Sequence, residues 1–117
     1  MAFSATPGSD LPVTDLDTAQ PVPNGYALLD VREQDEWDAG HAPGAIHIPM
    51  GELPTRIEEL PEQDLLVVCR AGGRSARSVQ WLTANGYDAY NIDGGMKGWA
   101  QAGLPLERED GEEPEII

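Results

Sequence analysis

The chain has 117 residues, enough for one domain around one core, and its 40% apolar content suits a globular protein. Its 21 acidic and 7 basic residues give a formal net charge of −14, which argues against nucleic acid and anionic membrane surfaces as partners. No apolar run approaches the roughly 20 residues of a membrane span, and Met1 to Gly8 has neither the basic start nor the apolar stretch of a secretory signal, so the expected compartment is the cytoplasm.

Residues 1–10 are small and polar, with Pro7-Gly8, and read as a flexible N-terminus. Leu11-Pro12-Val13 reads as a short edge strand, and Thr14 to Asp17 as the opening of a helical turn. Pro23-Asn24-Gly25 is a turn. Tyr26 to Val31 is a buried strand, followed by a short helix from Glu33 to Ala39 that Gly40 stops. Ala45 to Ile48 is a strand between Pro43-Gly44 and Pro49, and Glu52 to Leu60 a helix with Pro54 in its first turn. Leu65 to Val68 is a continuous apolar run, as expected of a strand buried on both faces. A helix follows from Ser75, with Ala76, Val79 and Leu82 sharing a face and Asn85-Gly86 as its stop. The strand Ala89 to Ile92 and a helix from Met96 to Ala102 complete the domain, taken as residues 11–106. Residues 107–117 are an acidic tail, expected to extend into solvent. Strands alternating with helices imply an α/β fold with a mostly parallel sheet covered by helices on both faces. No internal repeat is visible.

The chemistry concentrates in Cys69-Arg70-Ala71-Gly72-Gly73-Arg74-Ser75, directly after the apolar run. Gly72 and Gly73 allow the backbone to curl so that successive N–H groups turn inward and hold an anion. The helix N-terminus that follows also favours negative charge. Amides, helix terminus and guanidiniums all lower a thiol pKa, so Cys69 reads as a reactive thiolate and not as a small buried hydrophobe. It is the only cysteine, which excludes an internal disulfide. With two distant histidines it makes a poor metal set, and no metal or cofactor is expected. Arg70, Arg74 and Arg77 gather three of the seven basic residues in this segment of an acidic chain, which points to an anion bound there.

In an open α/β sheet, ligands bind at the carboxyl ends of strands. Asp30-Val31-Arg32 and Asp93-Gly94-Gly95 end strands as Cys69 does, so the three segments are expected to converge on one rim. Gly94 and Gly95 would permit close backbone approach to the Cys69 loop, leaving Met96 or Lys97 at its mouth, or would simply form a tight turn. Arg32 and Glu36, at helical spacing, read as a structural ion pair. His41 reads as a buried, hydrogen-bonded histidine within turn chemistry. Trp37, Trp81 and Trp99 read as packing residues. Ser75 is a helix-capping candidate.

Three segments together resemble single-domain rhodaneses, a sulfurtransferase family. They are Leu29-Asp30-Val31-Arg32 with Glu36-Trp37 and Gly40-His41-Ala42-Pro43-Gly44-Ala45-Ile46; the Cys69 to Ser75 loop; and Gly94-Gly95-Met96 with Trp99 and Gly103-Leu104-Pro105. They span about residues 26–106 in the family's order, with Ala42 where isoleucine is commoner. The resemblance implies one rhodanese-like domain with a sheet of about five strands. It implies Cys69 as the catalytic nucleophile and Arg70, Ala71, Gly72, Gly73, Arg74 and Ser75 as the substrate-binding loop; Asp30, Arg32 and Met96, placed by the strand ends, are candidate rim residues. It implies a sulfane sulfur donor such as thiosulfate, a Cys69 persulfide, and a thiol acceptor, with cyanide serving in assays or a sulfur-accepting protein in a relay; the oligomeric state stays open. Two other classes compete. One is a non-catalytic or sulfur-relay interaction module. The other is a phosphatase or arsenate-reductase-like enzyme, whose loop has one residue more between cysteine and arginine than the four between Cys69 and Arg74.

Overall fold

The computed structural model describes residues 3–5 and 12–117. In chain order the elements are β1 (Phe3–Ala5), β2 (Pro12–Thr14), β3 (Tyr26–Asp30), α1 (Gln34–Ala39), β4 (Ile46–His47), α2 (Leu53–Arg56), β5 (Asp64–Val68), α3 (Gly73–Ala84), β6 (Ala89–Ile92) and α4 (Gly95–Gln101). They build one six-stranded sheet in the order β1-β2-β6-β5-β3-β4. Strands β2 to β6 all run parallel, and β1 adds an antiparallel edge. This is the expected α/β architecture of five parallel strands. The expected flexible stretch 1–10 lies mostly outside the described residues, as does Leu11; Phe3–Ala5 is an edge strand, so β2 is not itself the edge.

The apolar run of β5 explains the layering. Side chains alternate across a strand, so Leu65 and Val67 point to one face and Leu66 and Val68 to the other, all four fully buried. The first face packs with Leu29, Ile48 and Leu53 and with Val79 and Leu82 of α3. The second packs with Leu28, Ile92, and Met96 and Trp99 of α4. Burying a side chain of this size contributes about 1.5–3 kcal/mol, so the central strands are held from both sides, as parallel sheets require. Among the described residues no helix is long and apolar enough to cross a membrane.

Three local readings differ from the structure. The expected helix over Glu52 to Leu60 is broken into a 3-10 turn at Met50–Glu52, α2, and a 3-10 turn at Ile57–Glu59. Pro54 lies in the first turn of α2, Arg56 leaves helical geometry at φ −121°, and Leu60 is extended ahead of Pro61. No helix opens at Thr14 to Asp17. Instead the Asp17 carboxylate accepts from the Ala19 and Gln20 amides, a side-chain turn before Pro21 and Pro23.

The acidic tail folds back instead of extending. His41 and Glu107 exchange backbone hydrogen bonds, the Glu115 amide donates to the Ala39 carbonyl, and Ile116 packs on the second core face. Gly40 makes room for this: a Cβ there would lie 2.6 Å from the Glu115 carbonyl oxygen. The charge count hid a backbone and apolar anchor, and one of the tail's own carboxylates joins it: Glu109 Oε1 lies 2.8 Å from Nε2 of the buried His41.

Candidate active site

β5 delivers Cys69 to the carboxyl edge of the sheet, and α3 begins four residues later. Between them the chain curls back under the sulfur. Gly72, the residue before the helix, sits at φ +123°, a region closed to most side chains. Its amide donates to Cys69 Sγ at 3.0 Å, and the Ser75 hydroxyl lies 3.3 Å from the same atom. Cys69 is 2% exposed, and its sulfur nevertheless has donors around it. Burial is the largest single influence on the thiol and pushes its pKa up. The Ser75 hydroxyl and the Ser75, Gly72 and Ala71 amides together outweigh it, and the thiol titrates below its ordinary value.

The outer side of the loop is closed by α4. Its first amides, those of Met96 and Lys97, donate to the Cys69 and Arg70 carbonyls at 2.8 and 3.0 Å. This contact depends on Gly95. Its φ is +57°, and a Cβ would stand 2.5 Å from the Cys69 carbonyl oxygen and 2.8 Å from that of Arg70. The close approach expected of the paired glycines is thus made by Gly95. Met96 does not reach the mouth: its side chain is fully buried in the second core face, and it is Lys97 that is exposed.

The two loop arginines differ. Arg70 is exposed, and its Nε donates to the Ile117 carbonyl at 3.1 Å. Arg74 forks onto Glu36, with Nη1 and Nη2 at 2.5 and 2.8 Å from the two carboxylate oxygens. That hydrogen bonding raises the Arg74 pKa above the ordinary arginine value and lowers that of Glu36. Arg74 also feels the charge of Cys69, with part of its own charge already matched by Glu36. Arg77, nearly one turn on, is exposed.

Asp30 and Arg32 are not on an open rim. Both are fully buried, and Arg32 clasps Asp30 with Nε at 2.9 Å from Oδ1 and Nη2 at 2.7 Å from Oδ2. Nη2 also donates to the Gly40 carbonyl, and Nη1 to the Glu36 carbonyl. The expected Arg32–Glu36 ion pair is therefore replaced: Arg32 binds only the backbone of Glu36, whose carboxylate goes to Arg74. The nearer partner wins because a two-residue offset at the end of β3 lets both Asp30 oxygens accept from the guanidinium at 2.7–3.0 Å. His41 is buried, stacked on Trp37 with ring centroids 3.6 Å apart, and its Nδ1 meets the Trp37 carbonyl at 2.9 Å.

The structure thus brings Cys69, Ala71, Gly72 and Ser75 together around the sulfur, with Gly73 opening α3. Two residues that sequence reasoning left out complete the setting. Asn91, buried at the carboxyl end of β6, donates from Nδ2 to the Gly72 carbonyl at 3.2 Å and accepts from the Ser75 hydroxyl at 2.6 Å. A polar residue inside a buried strand, next to a strand end already suspected, was the available signal. Glu36 as the partner of Arg74 had none, since 38 residues separate them.

Comparison with known proteins agrees with this geometry. The Rhodanese-like domain family matches residues 14–102. Allochromatium vinosum has a protein named Sulfurtransferase that is 36% identical over 86 residues, covering 72% of this chain and 80% of that one. YtwF of Bacillus subtilis (strain 168), whose name provisionally calls it a sulfurtransferase, is 38% identical over 73 residues, covering 62% of this chain and 71% of that one. The crystal structure of a rhodanese-related protein from Thermoplasma volcanium superposes with a TM-score of 0.69 at 34% identity, covering 73% of this chain and 86% of that one. This chain belongs to the rhodanese-like domain family.

Proposed function

We propose that this chain is a sulfurtransferase that carries sulfane sulfur as a persulfide on Cys69, with thiosulfate or a small persulfide as donor and a thiol as acceptor. The observation that carries the reading is the cradle of donors on Cys69 Sγ: the Gly72 amide, the Ser75 hydroxyl and the start of α3, in a site buried enough to strengthen each of them. The sulfurtransferase names of relatives at 36 and 38% identity support the reaction class.

In the first half-reaction the Cys69 thiolate attacks the outer sulfur of thiosulfate. A bond forms from Sγ to that sulfur, the bond to the sulfonate sulfur breaks, and sulfite leaves with the electron pair. The charge of the thiolate moves onto the new terminal sulfur, where inward amides and the helix N-terminus stabilise it as they would an oxyanion. In the second half-reaction an acceptor thiolate attacks the terminal sulfur, and Cys69 leaves as the thiolate it was. No net oxidation occurs. Cys69 is the only cysteine in the chain, so the sulfur passes to another molecule and not to a neighbouring thiol.

Intact mass spectrometry after incubation with thiosulfate tests this. The protein gains one sulfur atom, on the Cys69 peptide, and cyanide removes it with formation of thiocyanate. Cys69→Ser abolishes both with the far-UV spectrum unchanged. If neither thiosulfate nor a persulfide donor loads Cys69, the chain is an interaction module.

A further inference from the structure

We propose that Asn91 is a positioning residue that decides whether the Ser75 hydroxyl donates to the Cys69 sulfur or turns away from it. The inference rests on Cys69 being the nucleophile, and it follows from counting protons. A serine hydroxyl has one hydrogen to give. Three acceptors lie within its reach: Asn91 Oδ1 at 2.6 Å, the Gly72 carbonyl at 3.2 Å and Cys69 Sγ at 3.3 Å. The Gly72 carbonyl already accepts from the Ala76 amide at 3.0 Å and from Asn91 Nδ2, so it is the weaker rival. The contest is between Asn91 and the sulfur.

The side chain of Asn91 cannot evade this contest by flipping. With the amide reversed, Oδ1 would face the Gly72 carbonyl, acceptor against acceptor. Nδ2 must therefore point to Gly72, and Oδ1 to Ser75. Asn91 is only 8% exposed, so no water takes its place easily. In the resting thiol form, Asn91 holds the Ser75 proton and leaves a hydroxyl lone pair free to accept from the Cys69 S–H. When negative charge sits on the sulfur, the hydroxyl must break its short bond to Asn91 to reach it. Asn91 thus opposes the thiolate by the strength of that bond, and sets how readily the charged sulfur recruits its side-chain donor.

The charged groups around the sulfur do not change with Asn91. Arg74 of α3 is held by Glu36 of α1, Asp30 and Arg32 at the end of β3 are closed on each other, Arg70 turns to the Ile117 carbonyl, and Asp93 and Lys97 are exposed at the start of α4. They act equally in every variant and cancel in a comparison.

The test is the pH profile of Cys69 alkylation by iodoacetamide in the full chain, with and without Ser75. Asn91→Ala moves the midpoint down by about half a unit to one unit, because the Ser75 proton is released to the sulfur. In the Ser75→Ala background the same substitution leaves the midpoint where it was. A midpoint that rises or stays in Asn91→Ala, or an equal fall without Ser75, overturns the proposal, since a residue that merely holds the loop would behave in those ways. If Asn91→Ala does not fold, Asn91→Asp decides. Its carboxylate holds the proton harder and raises the midpoint more with Ser75 present than without it; equal rises in the two backgrounds overturn the proposal. Alkylation needs no sulfur donor, so failure to load sulfur, which would refute the proposed function, leaves this coupling readable.

Discussion

Replacing Gly95 with alanine separates the packing of the Cys69 loop from ordinary glycine chemistry. Two penalties act at this position. The backbone sits at φ +57°, where an L residue costs about 1–2 kcal/mol. The new methyl would also stand 2.5 and 2.8 Å from two backbone carbonyl oxygens, those of Cys69 and Arg70, which cannot swing away as a side chain would. Forcing a carbon into such a site costs about 1–3 kcal/mol more. Gly103 is the control: its φ is +74°, but nothing lies within 4 Å of a Cβ there. Gly103→Ala therefore bears only the conformational cost, about 1–2 kcal/mol, and Gly95→Ala about 2–5 kcal/mol in total. At roughly 4 °C per kcal/mol for a chain of this size, Tm falls by about 4–8 °C in the control and about 8–20 °C in Gly95→Ala. The methyl can be relieved only by parting α4 from the loop, which strains the Met96 and Lys97 amide bonds to it. Persulfide loading by thiosulfate accordingly falls in Gly95→Ala and holds in Gly103→Ala. Thermal unfolding by circular dichroism with the mass assay measures both. If the two variants lose equal stability and load sulfur equally, the close approach of α4 does not support the loop.

Two further outcomes follow from the ion pairs. Asp30→Ala leaves the guanidinium of Arg32 buried without its carboxylate and destabilises the fold by about 3–5 kcal/mol; chemical denaturation measures it, and a loss under about 1 kcal/mol would mean that Arg32 is rehydrated or finds another partner. Glu36→Gln removes a carboxylate whose pKa in the fold lies below 4.5 because Arg74 donates to it. A depressed acid stabilises above its unfolded pKa, so the stability gap between wild type and Glu36→Gln is constant above about pH 4.5 and closes as pH falls through the lower folded value. A gap unchanged into strong acid would show that the pair contributes nothing.

The fold was legible because β5 announces itself: an apolar run without polar alternation is a strand covered on both sides, and alternation of strands and helices supplies the rest. What failed had separate causes. Pro54 does lie in a first helical turn, but it and the Leu60-Pro61 step admit only a short helix with 3-10 turns on either side. The acidic tail was judged by its net charge, whereas it is attached by backbone bonds to His41 and Ala39, by close approach to Gly40, by Ile116, and by a Glu109 carboxylate set against His41. Net charge predicts solvation of carboxylates and says little about where the main chain runs.

At the site, local geometry was readable and long-range pairing was not. Cysteine, two glycines and a following helix predict inward amides from stereochemistry alone, and the Gly72 amide does meet the sulfur. The arginines were weighed for anion binding because seven basic residues face 21 acidic ones, but the same imbalance makes capture by an acid the easier fate. Arg32 found Asp30 and Arg74 found Glu36. Arg70 is exposed and turned to the Ile117 carbonyl, and the groups that meet the sulfur are dipoles: the Ala71, Gly72 and Ser75 amides, the start of α3, and a hydroxyl that Asn91 also claims. Dipoles stabilise a thiolate without adding net charge, so they do not bind the donor dianion tightly by themselves. A site built this way favours a charged sulfur over a neutral thiol more than it favours thiosulfate over water, which is what the persulfide carrier proposed above requires.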